Sequence, residues 1–258
     1  MSLDTFNKQL PIPSGEATEL FRQQDHAVYW LGFNEDTVFR CNTYLIVDGD
    51  EAIVVDPGGK GTLPIVRERI EQILPIDKVR ALIISHQDPD IAGCLQEWLQ
   101  MNPTLTLITS PRTFVLLPHY GIGDLNLYDI EESPAFAFAS GREVRFYPAP
   151  FLHSPMAFVS LDLVSGFMFT SDIFAAIDSH WQLVVDDFSS HADKMDLFHV
   201  EYMASNRAAR GFVETIQDLP IKAFLPQHGS IIPGQFVQPA MDYLRNLQCG
   251  LDLSYPHL

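Results

Sequence analysis

The run Val79-Arg80-Ala81-Leu82-Ile83-Ile84 leads directly into Ser85-His86-Gln87-Asp88-Pro89-Asp90, and apolar residues then recur at helical spacing over residues 91–99. A strand passing through a short loop into a helix leaves that loop little freedom, because both of its ends are anchored in a core. The loop carries an imidazole and two carboxylates at alternate positions, His86, Asp88 and Asp90. Those residue types at that spacing read as half of a dinuclear metal site.

The same construction recurs three times beyond this loop. Phe151-Leu152-His153-Ser154-Pro155, Phe169-Thr170-Ser171-Asp172 and Leu225-Pro226-Gln227-His228-Gly229 each place a ligand-type side chain just past an apolar strand. Ligands at equivalent ends of several strands can converge on one edge of the sheets. Each residue has an ordinary alternative: His153 and His228 as hydrogen-bonded histidines, Asp172 as the cap of a helix beginning at Ile173, Asp88 and Asp90 as turn formers around Pro89. The His-x-Asp-x-Asp spacing, with three further residues in this order, favours a shared metal site.

The rest of the chain fits an α/β protein. Strands are predicted at residues 27–32, 42–47 and 51–55, with Asp48-Gly49-Asp50 as the hairpin turn between the last two. An amphipathic helix follows at 62–74. The second half repeats the rhythm, with strands near 143–147, 157–163, 166–170 and 221–225, a long helix within 194–219 and a final helix at 239–248. Residues 118–123 and 133–141 read as loops. Strand-rich stretches followed by helix-and-strand units in each half predict two sheets packed face to face with helices outside, in a single domain over residues 1–258.

Composition removes several function classes. The 258 residues are 47% hydrophobic, enough for a substantial core. With 33 acidic against 16 basic residues, the net charge is −17 and no Lys/Arg cluster is present, which disfavours nucleic acid and anionic membranes as partners. Residues 1–10 lack the features of a signal peptide and no apolar run reaches membrane-spanning length, so a cytoplasmic location is expected. Cys41, Cys94 and Cys249 have no paired spacing and receive no role. Asp56, in Asp56-Pro57-Gly58-Gly59, reads as a turn residue able to orient a ligand from behind. The loop containing Phe33 and Asp36 is a candidate cover for the site, while His191 and His199 fall outside the ligand pattern.

On these motifs, together with Val28-Tyr29-Trp30-Leu31-Gly32, Asn42-Thr43-Tyr44-Leu45-Ile46 and Val54-Val55-Asp56-Pro57-Gly58, the chain resembles the metallo-β-lactamase superfamily. Within it, the branch it resembles is that of flavodiiron proteins and their shorter relatives, the oxygen-binding diiron proteins. The resemblance implies a four-layer αββα sandwich. It also implies two iron ions, one bound by His86, Asp88 and His153, the other by Asp90 and His228, with Asp172 bridging them. Hydrolases of the fold carry His-x-His-x-Asp-His, whose second imidazole is here Asp88. An anionic oxygen there makes the site harder and favours iron or manganese over zinc. Flavodiiron proteins usually have Glu at that position. Many members have His where this chain has Ile91, so the second iron is expected to be ligand-poor.

The function implied is binding and reduction of O2 or NO, as an oxygen sensor or as a reductase component. No flavin-binding segment is recognised after His228, so an external flavoprotein or rubredoxin-type donor is expected to supply electrons, and the resemblance implies a homodimer. The competing reading is a zinc-dependent hydrolase of an ester, thioester or phosphodiester.

Overall fold

The computed structural model describes residues 15–32, 39–123, 125–179 and 181–257. Strands β1 (Thr18–Gln23), β2 (His26–Gly32), β3 (Thr43–Asp48), β4 (Glu51–Val55), β5 (Val79–Ile83), β6 (Thr106–Thr109) and β7 (Asn126–Asp129) lie side by side in chain order. The first four form an antiparallel meander, and β4 to β7 are parallel neighbours. A second sheet contains β8 (Ala135–Ala137), β9 (Glu143–Pro148), β10 (Phe158–Asp162), β11 (Phe167–Phe169), β12 (Ala223–Leu225) and β13 (Ile232–Pro233), again in chain order. Only its β11–β12 pair is parallel.

The helices are α1 (Leu63–Glu71), α2 (Pro89–Ala92), α3 (Leu95–Met101), α4 (Pro111–Phe114), α5 (Phe188–Tyr202), α6 (Asn206–Ile216), α7 (Val237–Asn246) and α8 (Leu251–Ser254). Strand β2 shows why they must lie outside. All seven of its residues are buried, so both faces of the sheet need cover. Val28 and Trp30 point into a central cluster with Phe158, Phe167 and Phe169 of the other sheet, while Ala27, Tyr29 and Leu31 join α1 and α3 residues Val66, Ile70, Leu95 and Trp98. On the far side, Val159, Leu161, Met168 and Phe224 pack with Met195, Phe212, Val213 and Met241 of α5, α6 and α7. These three apolar seams separate four layers, which makes the αββα sandwich.

The hairpin expected at Asp48-Gly49-Asp50 pairs β3 with β4, with Gly49 at a φ of +61°. Other expectations need correction. The long helix of 194–219 is two helices, because Met203 leaves α5 in an extended conformation and Ser205 caps α6 by accepting a hydrogen bond from the Ala208 N–H. The segment 91–99 divides between α2 and α3. Strands β1, β6, β7 and β8 were not anticipated, and β8 lies inside the supposed loop 133–141. The candidate cover at Phe33 to Asp36 lies outside the described residues. Among the described residues, no helix is long and apolar enough to cross a membrane.

Candidate metal centre

The six predicted ligands come together at one edge of the two sheets. His86 Nε2 lies 3.2 Å from Asp172 Oδ2 and 3.6 Å from Asp88 Oδ2. His153 Nε2 lies 2.9 Å and 3.5 Å from the same two oxygens. On the other side, His228 Nε2 is 3.0 Å from Asp90 Oδ2 and 3.5 Å from Asp172 Oδ1. Asp172 therefore turns one oxygen to each group. Its Oδ1 is buried and accepts no hydrogen bond, a costly position for an anionic oxygen unless a cation or donor meets it.

Neighbouring side chains aim each ligand. The β5 strand ends at Ile83, and the Ser85 N–H then donates to the buried Asp56 carboxylate at 3.1 Å. Asp56 is thus more than a turn former: it ties the start of the His86 loop to the end of β4. The Ser85 hydroxyl donates to Ser171 Oγ, which sits 3.0 Å from His86 Nδ1 and leaves Nε2 to face the carboxylates. Gln87 donates to Asp88 Oδ1 and accepts from Ser154, linking this loop to the one that holds His153. His228 Nδ1–H donates to the Arg40 carbonyl at 2.9 Å, so its Nε2 is the nitrogen left to face Asp90.

Asn42, just before β3, locks the His228 loop in place. Its side-chain amide donates to the carbonyls of Pro226 and Gly229, and its oxygen accepts from the Trp30 indole. Tyr44 adds a hydrogen bond to the Pro226 carbonyl. One sheet thereby positions a ligand carried by the other. Asp172 caps no helix: residues 171–174 form a turn, in which Ser171 and Phe174 take positive φ values of 53° and 69°. The Phe174 N–H is held by His199 Nε2, and His199 Nδ1–H donates to the Met195 carbonyl. His199 supports the turn from behind and lies outside the ligand cluster, as does His191.

Charge pairing dominates the electrostatics. Burial pulls the His86 imidazolium down, but Asp172 and Asp88 hold its pKa up at about 10. Burial acts likewise on His153, which Asp172 and Asp88 raise to about 9. His228 is raised well above the ordinary histidine value by Asp90, Cys41 and Asp172 against the same penalty. Burial would raise the Asp172 pKa, yet His86, His153 and His228 take it well below the usual carboxylate range. Hydrogen bonds from His153 and His86 lower Asp88. Three imidazoles facing three carboxylates across a few ångströms can exchange protons for metal cations.

A cavity of about 380 Å³ opens onto this centre, walled by Phe39, Phe198 and Tyr202. Phe39 stacks on the His228 ring with centroids 3.6 Å apart, and Phe198 stacks on Tyr202 at 4.5 Å. Cys41, given no role from the sequence, also lines the cavity, with Sγ 3.7 Å from Asp90 Oδ2. No spacing rule links Cys41 to the other residues, since it enters from the start of β3. Ile91 turns away into the apolar seam beneath α3. Cys94 is buried with its thiol on the Gly58 carbonyl, as expected of a core cysteine.

A four-layer sandwich with metal-type ligands at one sheet edge defines a metallo-β-lactamase-type protein of the flavodiiron-like branch. The chain belongs to the family described as ODP family beta lactamase, which matches residues 39–229. It is similar to the apo state of the chemotaxis sensor ODP from T. denticola, at 30% identity and a TM-score of 0.81 over 94% of this chain and 99% of that one. The peroxy diiron species of chemotaxis sensor ODP gives 28% identity and a TM-score of 0.82, over 94% of this chain and 100% of the other. The diflavin flavoprotein A 1 of Synechocystis sp. is 24% identical over 144 residues, 56% of this chain but 25% of its own length. A diflavin flavoprotein of Nostoc sp. is 22% identical over 78% of this chain, which covers 35% of that relative.

Proposed function

We propose that this chain is a non-haem diiron protein that binds O2 or NO, acting as an oxygen sensor. One iron is held by His86, Asp88 and His153, the other by Asp90 and His228, and Asp172 bridges them. The observation that carries this reading is Asp172 itself. One of its oxygens faces each ligand group, and Oδ1 is buried without a hydrogen-bond partner. The donor set fits iron, since three hard carboxylates beside three imidazoles suit it better than a thiolate-rich or all-imidazole zinc site would.

When bound, a pair of ferrous ions supplies two electrons and Lewis acidity to a diatomic ligand. The chain's own residues do the rest. Ser171 and the Arg40 carbonyl fix the ring orientations of His86 and His228, and Gln87 turns Asp88 Oδ2 inward. The apolar rings of Phe39 and Phe198 narrow the access to small molecules.

The similarity to the chemotaxis sensor ODP, over 94% of this chain, supports sensing over steady reduction. It also supports reading residues 1–258 as one lactamase-like domain, with a flavoprotein or rubredoxin-type protein as its electron donor. A homodimer is the assembly we propose, and the exposed apolar residues Phe151, Tyr202 and Leu251, gathered around Ala204 by its backbone hydrogen bonds to Phe151 and Leu251, favour a second copy there. None of the relatives named above is a zinc hydrolase, and Asp88 stands against that reading.

Anaerobic purification, metal quantification and optical spectra before and after adding O2 test the proposal. Two irons per chain and a new absorption band on oxygenation are expected. Stoichiometric zinc without iron, and no band, would overturn it. Rapid single-turnover oxidation without continuous O2 consumption in the presence of a reducing donor identifies the sensor. Sustained consumption identifies the reductase.

A further inference from the structure

We propose that Cys41 is a direct ligand of the second metal, completing a thiolate, imidazole and carboxylate set with His228 and Asp90. The proposal rests on the reading that the centre holds two metals, and it names a ligand beyond the six argued above. Cys41 Sγ, one carboxylate oxygen of Asp90 and one ring nitrogen of His228 all lie within 4.8 Å of one another. That matches the other group, where His86, Asp88 and His153 meet within the same limit. A second observation points the same way. Asp172 Oδ1, buried and accepting no hydrogen bond, lies 3.5 Å from His228 Nε2, so a fourth donor atom faces this position.

The local structure holds the thiol there. Cys41 and His228 face each other across an isolated antiparallel bridge, and the Asn42 N–H bonds to the Gln227 carbonyl. Gln227 in turn donates to Asp90 Oδ2, so all three ligands belong to one hydrogen-bonded unit. Ile91, buried in the outer seam, contributes nothing to this wall. On coordination the thiol loses its proton to solvent and a sulfur–metal bond forms, with no change in oxidation state. The two metal positions are then chemically distinct: one has only nitrogen and oxygen donors, the other a soft sulfur donor as well.

Cobalt(II) is the probe, because a thiolate ligand gives it a strong sulfur-to-cobalt charge-transfer band in the near ultraviolet that nitrogen and oxygen ligands do not. The metal-free full chain is titrated with cobalt(II) alone. Two ions per chain are expected, with the band growing for one of them. Cys41→Ser is expected to lose the band and to weaken one cobalt at least about tenfold while leaving the other unchanged. The double variant Cys94→Ser, Cys249→Ser keeps Cys41 as its sole thiol and is expected to retain the band, which decides the assignment even if Cys41→Ser folds poorly. Two cobalt ions without the band in the wild-type chain would overturn the role of Cys41 and leave the dinuclear reading standing. Fewer than two ions would overturn the dinuclear reading, and fewer than two without the band would overturn both.

Discussion

Ser171 shows how much of this centre depends on a residue that holds no metal. It adopts a positive φ of 53°, a conformation costly for a residue with a Cβ, and so brings its hydroxyl to 3.0 Å from His86 Nδ1 while the next residue, Asp172, turns into the cavity. Removing such a partner frees the ring to rotate and lowers its basicity. Ser171→Ala is expected to weaken metal binding about 10- to 100-fold while leaving the saturating stoichiometry unchanged, as read by competition with a chelator. Asp56 and Gln87 act on the same loop, and of the two only Asp56 is partly legible in the sequence. The turn at Asp56 was recognised from Asp-Pro-Gly-Gly, but its contact with the Ser85 N–H depends on a neighbouring strand.

At the scale of elements, the loop from β12 to β13 is the most constrained piece. Gly229 has a φ of +88°, and a Cβ added there would lie 2.8 Å from the Ala176 Cβ and 2.9 Å from its backbone nitrogen. Gly229→Ala must shift either the His228 loop or the turn after Asp172. A cost of about 1–3 kcal/mol in urea unfolding is expected from the strain alone. Metal titration should show the position beside His228 weakened and the one beside His86, Asp88 and His153 retained. Helix boundaries were the least legible feature. Nothing in the periodicity of residues 194–219 marks the break between α5 and α6, which follows from backbone contacts of Ala204 with Phe151 and Leu251. The short strands β6, β7 and β8 were missed for a related reason. Three or four residues carry too little pattern, and their pairing partners lie far along the chain or in a neighbouring element.

At the scale of the whole molecule, the two sheets are joined by a buried polar link at the edge of their apolar seam. His26 on β2 lies 3.1 Å from Asp48 on β3 and 3.1 Å from Asp162 on β10, with all three side chains almost wholly buried. Arg142 and Ser140 complete the Asp48 end, and Ser165 the Asp162 end. Burial opposes the imidazolium, but Asp162 and Asp48 raise its pKa above the ordinary histidine value. A raised histidine pKa contributes stability that is fully present below the unfolded value and is lost as pH rises through the folded one. His26→Ala is therefore expected to destabilise the chain by about 3 kcal/mol or more at about pH 6. The loss should be smaller at about pH 9, because rising pH takes the wild-type histidine towards losing its proton. Denaturant unfolding of both forms at the two pH values measures this; an equal loss at both would remove the charge from the account.

The sequence by itself determined the layered α/β plan, because runs such as 27–32 and 79–84 are apolar on both faces and can only be strands covered from two sides. It also singled out His86, Asp88, Asp90, His153, Asp172 and His228 as candidate ligands, because each lies just past an apolar strand in a fixed order. The resemblance implies how they divide, and only the tertiary structure decided what holds them in that division. Asp172 stands between two groups because its turn is pinned by Gln227 and His199. Cys41 joins one of them because Asn42 ties the start of β3 to the His228 loop, 187 positions further along the chain from Cys41. Local pattern reports which face of an element is buried. It carries no record of which distant backbone will close against it, and that closure is what brought Cys41 beside Asp90 and His228.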